Sequence, residues 1–223
     1  MYLSYWEIKN WFTNVDFTIV GSGIVGLHTA LRLREKFPES KILILEKGVL
    51  PQGASTKNAG FACFGSLSEI IEDLKSHSEE EVIQLIQKRW DGLKLLRKNL
   101  GDDAIDFKPY GGYELFTKED ESCFNIWLQK LPYVNEMLKP IFKSDVFSKE
   151  IDRFGFGNIQ EYSIFNPFEA QIDPGNMMQA LLKLAISKNI LILNQQTVTS
   201  YVDDGNKVEI VLDDFSFISK KVF

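Results

Sequence analysis

Cysteine and histidine are scarce in this 223-residue chain, with 2 of each. Cys63 and Cys123 form no C-x-x-C pair, so a disulfide framework or zinc site has nothing to be built from, and no metal is expected. His28 reads as a packing or surface residue of a helix, and His77, between Ser76 and Ser78, as solvated. Positive charge is also short. The net charge is −6 and the 25 Lys and Arg are scattered without a basic stripe, which leaves no electrostatic footprint for nucleic acid. No apolar run approaches a membrane span, and Met1 to Asn14 lacks the apolar stretch and cleavage site of a secretory signal. A cytoplasmic, ordinarily globular protein is the expectation, with 44% hydrophobic and 25% charged residues and no low-complexity run. Tyr2, Tyr5, Trp6 and Trp11 are expected to cover a sheet edge.

What the chain does have is glycine in one telling place. Gly21-Ser22-Gly23-Ile24-Val25-Gly26 follows the apolar run Phe17-Thr18-Ile19-Val20 and precedes an amphipathic helix, where a dinucleotide-binding turn belongs. There the chain must turn tightly, approach a pyrophosphate with bare backbone, and pack helix closely on strand, while the helix N-terminus offers free N–H groups to the anion. A second strand, Lys41-Ile42-Leu43-Ile44-Leu45, ends at Glu46, about 20 residues beyond the last glycine, the spacing at which an acid meets ribose hydroxyls. An acid there repels a 2′-phosphate. Glu46 is the expected ribose ligand, with Lys47 beside it; the plain alternative is a glycine-rich loop and a strand-end glutamate.

Gly53-Ala54-Ser55-Thr56-Lys57-Asn58-Ala59-Gly60 with Phe61-Ala62 resembles the second-loop signature of the FAD-dependent D-amino-acid oxidase and glycine or sarcosine oxidase superfamily. Two further blocks resemble that family: Phe107 to Phe116, like the strand opening its substrate domain, and Ala170-Gln171-Ile172-Asp173-Pro174-Gly175, like the return into its cofactor domain. The resemblance implies an α/β fold, in which a Rossmann-like FAD-binding domain with parallel sheet and β-meander (residues 1–102 and 173–223) is interrupted by part of an α+β substrate domain (103–172). It implies FAD as cofactor, an amine or amino acid as small-molecule substrate, and oxygen or a quinone as electron acceptor. A 2-hydroxy acid or polyol phosphate is the alternative substrate class.

The same resemblance suggests residue roles. Ser55 and Thr56 would offer hydroxyls to the pyrophosphate, unless they bond their own loop. Lys57 and Asn58 match the family's Arg/Lys-Asn pair; Lys57 either stabilises the reduced flavin or is a solvated loop lysine. Gly60 would let backbone approach the flavin ring, and Val198 would meet adenine through its backbone. Tyr110 and Tyr113 are candidates for substrate contact, with a core role as the alternative. Cys63 is not in the segment that carries the family's covalent cysteine. The catalytic group is not identified.

Local signals order the rest. Ser66 with Glu69, and Ser78 with Glu81, predict capped helices, the second running to Gly101 with Ile86, Trp90, Leu93 and Leu100 as its core stripe. Strands are expected at 105–107 and 113–117 around Gly111-Gly112, then a helix capped by Thr117 and Asp120 and broken at Pro132. Residues 144–157 read as loop, and 160–165 and 168–172 as strands of one small sheet. Asp173-Pro174 announces a helix leading to Ile190-Leu191-Ile192-Leu193, a strand expected to be buried on both faces. A meander then turns at Asp203-Asp204-Gly205-Asn206. Ile218 to Phe223 reads as a strand beginning; in the resembling family this strand continues into further segments, so the resemblance implies that the chain is the amino-terminal part of a longer enzyme. The alternatives are completion by a second polypeptide, and an inert chain with weak or no FAD binding.

Overall fold

A computed structural model describes residues 3–223; Tyr2 lies outside the described residues. In chain order it contains α1 (Tyr5–Glu7), a π-helical turn (Ile8–Phe12), β1 (Val15–Val20), α2 (Ile24–Lys36), β2 (Ile42–Leu45) and a 3₁₀ turn (Ala54–Thr56). Next come β3 (Phe61–Ala62), α3 (Leu67–Asp73), α4 (Glu79–Leu100), β4 (Gly112–Glu114), α5 (Glu121–Phe142), β5 (Ser148–Ile151), β6 (Tyr162–Asn166) and β7 (Ala170–Gln171). The chain ends through α6 (Pro174–Ser187), β8 (Leu191–Leu193), β9 (Val198–Asp203), β10 (Val208–Leu212) and β11 (Ser216–Val222).

These elements divide into two compact units, residues 1–59 with 174–223 and residues 60–173. The division differs from the expected one, because 60–102 pack with the residues that follow them. The reason is apolar patterning: Phe64, Leu67, Ile70 and Ile71, with Val82 and Ile86 of α4, are buried in one cluster with Phe124, Val134, Met137 and Leu138 of α5.

The first unit holds a six-stranded sheet in the order β8-β2-β1-β11-β10-β9. β8, β2, β1 and β11 run parallel, while β11, β10 and β9 form an antiparallel meander. The run Ile42 to Leu45 is wholly buried, as suits an interior parallel strand. β8 joins the parallel sheet as expected, beside β2, yet among the described residues it is an edge strand and only half-buried. Trp11 packs against the cluster of Phe12, Val15, Leu43, Leu45 and the meander residues Val208, Ile210 and Leu212, whereas Tyr5 and Trp6, which were expected to lie on a sheet edge with it, are largely exposed. α2 lies against β1, β2 and α6. Arg34 fastens the helix ends: its guanidinium donates to the carbonyls of Pro38 (2.6 Å), Ser40 (2.7 Å), Lys188 (2.9 Å) and Asn189 (3.0 Å).

In the second unit the three capping boxes, Ser66 with Glu69, Ser78 with Glu81 and Thr117 with Asp120, all form. α4 stops at Gly101, whose φ of +82° is open to glycine. Of its expected stripe only Ile86 is fully buried; Val82 joins it, Trp90 packs partly against the same cluster, and Leu93 and Leu100 are half-buried. Four expectations fail here. Residues 105–107 are not a strand, because the chain turns through a 3₁₀ turn at Asp103–Ile105 and a left-handed Asp106. Residues 148–151, read as loop, form β5 against β6. Residues 168–172 do not join that sheet; β7 pairs instead with β3 in a separate two-stranded ribbon, while β4-β6-β5 form the small sheet. Pro132 does not break its helix, and α5 also runs through to Pro140 and beyond. Both prolines lie on the exposed face. Each costs about 3 kcal/mol. Burying Phe124, Val134, Met137, Leu138 and Phe142 at about 2 kcal/mol apiece outweighs the pair.

Asn135 pins the loop beyond α5 to the helix. Its buried amide accepts from the N–H groups of Val146 (3.0 Å) and Phe147 (2.9 Å) and donates to the Phe147 carbonyl (2.8 Å). Replacing it with leucine leaves two buried N–H groups and a carbonyl without partners, so Asn135→Leu is expected to cost about 3 kcal/mol or more in urea unfolding. An unchanged midpoint contradicts this.

Candidate functional site

The end of β1 and the start of α2 form a tight turn. Gly21 takes φ +98°, and its N–H donates to the Leu45 carbonyl at 2.8 Å, tying the turn to the end of β2. A Cβ on Gly26 would stand 2.1 Å from the Gly21 carbonyl oxygen, a distance that no side chain accepts, so helix and strand can approach only with glycine there. At Gly23 an added Cβ would meet Ser55 Oγ at 3.0 Å.

Glu46 is buried at the end of β2 and reaches back to this turn. Its Oε2 accepts from the Ser22 amide (2.9 Å) and the Ser22 hydroxyl (2.9 Å), and its Oε1 from the Gly48 amide (3.0 Å). Burial pushes the carboxyl pKa up, but the Ser22 and Gly48 amides, the Ser22 hydroxyl and the Lys47 charge outweigh it and hold the group below its ordinary value. Glu46 is therefore ionised at neutral pH. Its backbone also carries the strand behind it: Glu46 N–H donates to Leu193 (2.9 Å), Gln196 N–H to the Glu46 carbonyl (2.9 Å) and Gln195 N–H to the Gly48 carbonyl (3.0 Å). That ladder leads directly into Val198 at the start of β9, which is half-buried.

The loop after β2 supplies the remaining groups. Ser55 Oγ accepts from the Ile24 amide in the first turn of α2 (3.0 Å), so its hydroxyl sits at the positive end of that helix. Thr56 behaves otherwise: its hydroxyl donates to the Pro51 (3.4 Å) and Gly53 (3.2 Å) carbonyls of its own loop. Asn58 Nδ2 donates to the Ala54 (3.2 Å) and Ser55 (3.0 Å) carbonyls, which holds the turn carrying Ser55. Val25, Lys47 and Lys57 are exposed. Gly21 to Gly26, Glu46, Lys47, Ser55 to Asn58 and Val198 thus all belong to the first unit.

Gly60, Tyr110 and Tyr113 belong to the second unit. Gly60 is buried with φ +77°, and its carbonyl accepts from Ile172 (2.8 Å). Tyr110 is exposed, while Tyr113 sits in an aromatic group with Phe154 and Phe165. The Cys63 thiol is pushed up by burial and by the nearby Glu169 and Glu69, which makes it a poor nucleophile. No His, Cys, Asp and Glu grouping suited to a metal occurs among the described residues. None of their helices is long and apolar enough to cross a membrane. Sequence reading missed Gly48, where a Cβ would lie 2.5 Å from the Leu50 carbonyl oxygen and whose amide holds Glu46; its signal is a glycine two residues after the acid.

A parallel sheet, a glycine turn opening a helix and an acid at the end of the second strand define a dinucleotide-binding type of α/β protein. The chain belongs to the FAD dependent oxidoreductase family, DAO, which matches residues 16–221. A curated relative, "Probable oxidoreductase OrdL" of Haemophilus influenzae, is 23% identical over 94% of this chain and 48% of its own length. Among solved structures, L-amino acid deaminase from Proteus myxofaciens in complex with anthranilate superposes with a TM-score of 0.70 at 18% identity, covering 94% of this chain and 45% of that one. Glycine oxidase from Geobacillus kaustophilus gives 0.66 at 18% identity, over 93% and 54%. The chain spans about half the length of these relatives.

The Glu46 bonds make stability depend on acidity. A carboxyl whose pKa falls on folding stabilises fully above its unfolded value, here 4.5, and loses that contribution as pH drops through the lower folded value. The difference in unfolding free energy between the wild-type chain and Glu46→Gln is expected to be constant from pH 7 to 5 and to shrink below about 4.5. A difference that grows on acidification contradicts the assignment.

Proposed function

We propose that the first unit holds the adenosine and pyrophosphate of FAD, and that the protein oxidises an amine or amino acid. The observation that carries the reading is the ionised, buried Glu46 fixed beside the glycine turn. Three of the roughly four lone-pair positions of its carboxylate are occupied by Ser22 and Gly48, which leaves Oε1 one acceptor site for a ribose hydroxyl. The Ser22 hydroxyl bond is the one that can be exchanged for a second. The bare backbone at Gly23 admits a pyrophosphate, which takes N–H donors from the first turn of α2. Ser55 keeps the Ile24 amide satisfied and can turn its own proton toward the same anion. Val198, delivered beside Glu46 by the backbone bonds of Gln195 and Gln196, offers its main chain to adenine.

The chemistry supplied by a bound flavin is two-electron acceptance, of hydride from the carbon bearing the amine. The amine or amino-acid class rests on the family and on relatives named glycine oxidase and L-amino acid deaminase. Lys57, exposed on the loop and not bonded to Glu46, is assigned to stabilising negative charge near the ring, and Gly60 to close approach of the backbone. In the complete flavoenzyme, Lys57→Met is expected to slow flavin reduction in stopped flow; an unchanged rate contradicts that role. FAD titrated into the chain is expected to lose fluorescence saturably. Glu46→Ala, checked for an intact fold by circular dichroism, should weaken binding about tenfold or more, the worth of a hydrogen bond to a charged group. Equal affinity of the variant and the wild type contradicts the site.

A further inference from the structure

Gly111 and Gly112 leave two gaps at the start of β4, and other residues fill both. At Gly111, where φ is +77°, a Cβ would strike the Phe165 ring; at Gly112 it would fall on the carboxyl group of Glu169. Glu169 ends the turn between β6 and β7. The Gly111 amide donates to the Glu169 carbonyl (3.1 Å), the Phe168 amide to Asn166 Oδ1 (3.0 Å) and Asn166 Nδ2 to Glu169 Oε1 (3.2 Å). Asn166 is itself the partner of Gly112 across β4 and β6. The carboxyl thus lies between the start of one strand and the end of the next, in a niche that exists only because Gly112 has no side chain.

The surroundings of that niche do not suit an anion. Among the described residues Asn166 is the only hydrogen-bond donor to the carboxyl, and it serves Oε1, which leaves Oε2 against Gly112. The charged groups that act on it are both acids, Glu114 of β4 and Glu69 of α3. Both are held in place: Glu114 accepts from the hydroxyl and the amide (3.4 Å) of Ser68, and Glu69 accepts from the Ser66 amide (3.0 Å). Cys63, just beyond β3, is the remaining titratable neighbour, and Glu169 helps to keep its thiol protonated. Arg89 of α4 directs its charge at Cys63 and donates to the Phe64 carbonyl (3.0 Å); it forms no pair with Glu169. Burial is the largest influence on the Glu169 carboxyl and pushes its pKa up, the Asn166 bond works against it, and the charges of Glu114 and Glu69 add to the rise.

We propose that Glu169 is a proton-operated clasp inside the second unit: with a proton on Oε2 it holds the turn after β6 against β4, and on ionisation the neighbouring acids expel it from the niche over Gly112 and the turn loosens. A carboxyl whose pKa rises on folding binds more protons in the folded chain than in the unfolded one. The niche is therefore free of repulsion below the unfolded value, 4.5, and stability falls as pH climbs through the higher folded value, the opposite of the trend at Glu46. The clasp involves no cofactor.

Amide exchange of the intact chain, read by mass spectrometry on peptides covering 107–116 and corrected for the pH dependence of intrinsic exchange, tests it. Protection around the Gly111 amide is expected to fall about tenfold or more as pH rises from about 4.5 to about 8.5, the change that a pKa raised by about one unit produces. Glu169→Gln keeps the shape of the side chain without its charge, so protection should stay level; its gain in unfolding free energy over the wild type should be absent near pH 4 and grow with pH. Glu114→Gln should move the wild-type transition to lower pH, because losing one negative neighbour eases ionisation, and Glu69→Gln, which preserves the helix cap, should move it the same way. A merely structural Glu169 gives no such displacement. Level protection in the wild type, the same fall in Glu169→Gln, or a transition that both neighbour variants leave in place overturns the proposal. The wild type and the neighbour variants decide it even if Glu169→Gln fails to fold.

Discussion

The Glu46 carboxylate reaches from the end of β2 to the Ser22 amide and hydroxyl, and so couples two strands, a turn and a helix through one buried charge. Buried anions are tolerated only when hydrogen-bonded, and here three donors satisfy it. The donors exist because Gly26 lets α2 close on β1, which brings the Ser22 amide to the acid, and because Gly48 turns the chain just beyond it. The backbone of the same residue then supports the strand leading to Val198. Turn, acid and adjoining strand are therefore fixed by a single set of bonds.

The rest of the first unit keeps that set in place. β1 is flanked by β2 on one side and β11 on the other, both parallel to it, so the strand feeding the turn has no free edge. Asp16 at its start accepts from the Lys41 amide (2.7 Å) and pairs with Lys220 (2.7 Å), which joins all three strands at one level. Arg34 ties together the segments that leave α2 and α6 by gathering four carbonyls just beyond the two helix ends.

Sequence was most informative where local chemistry decides structure. The glycine turn, the three capping boxes, the stop at Gly101 and the meander turn near Gly205 each depend on a few adjacent residues, and each forms as read. It was least informative where distant packing decides. Pro132 is a helix breaker locally, yet the apolar face of α5 carries the helix through it. Residues 148–151 have no strong alternation of their own and become a strand because β6 offers an edge. Within the site, Glu46 could be named from spacing, whereas the Gly48 amide that holds it and the capture of the Thr56 hydroxyl by its own loop depend on how the chain folds back. The lodging of the Glu169 carboxyl over Gly112, from a distant part of the chain, had no signal in sequence at all.

In the proposed function, the first unit recognises the adenosine diphosphate part of the dinucleotide. Competition for FAD on the intact chain tests it most directly. ADP is expected to displace FAD from the wild-type chain while FMN, which lacks the adenosine, does not. Displacement by FMN with no effect of ADP contradicts the account.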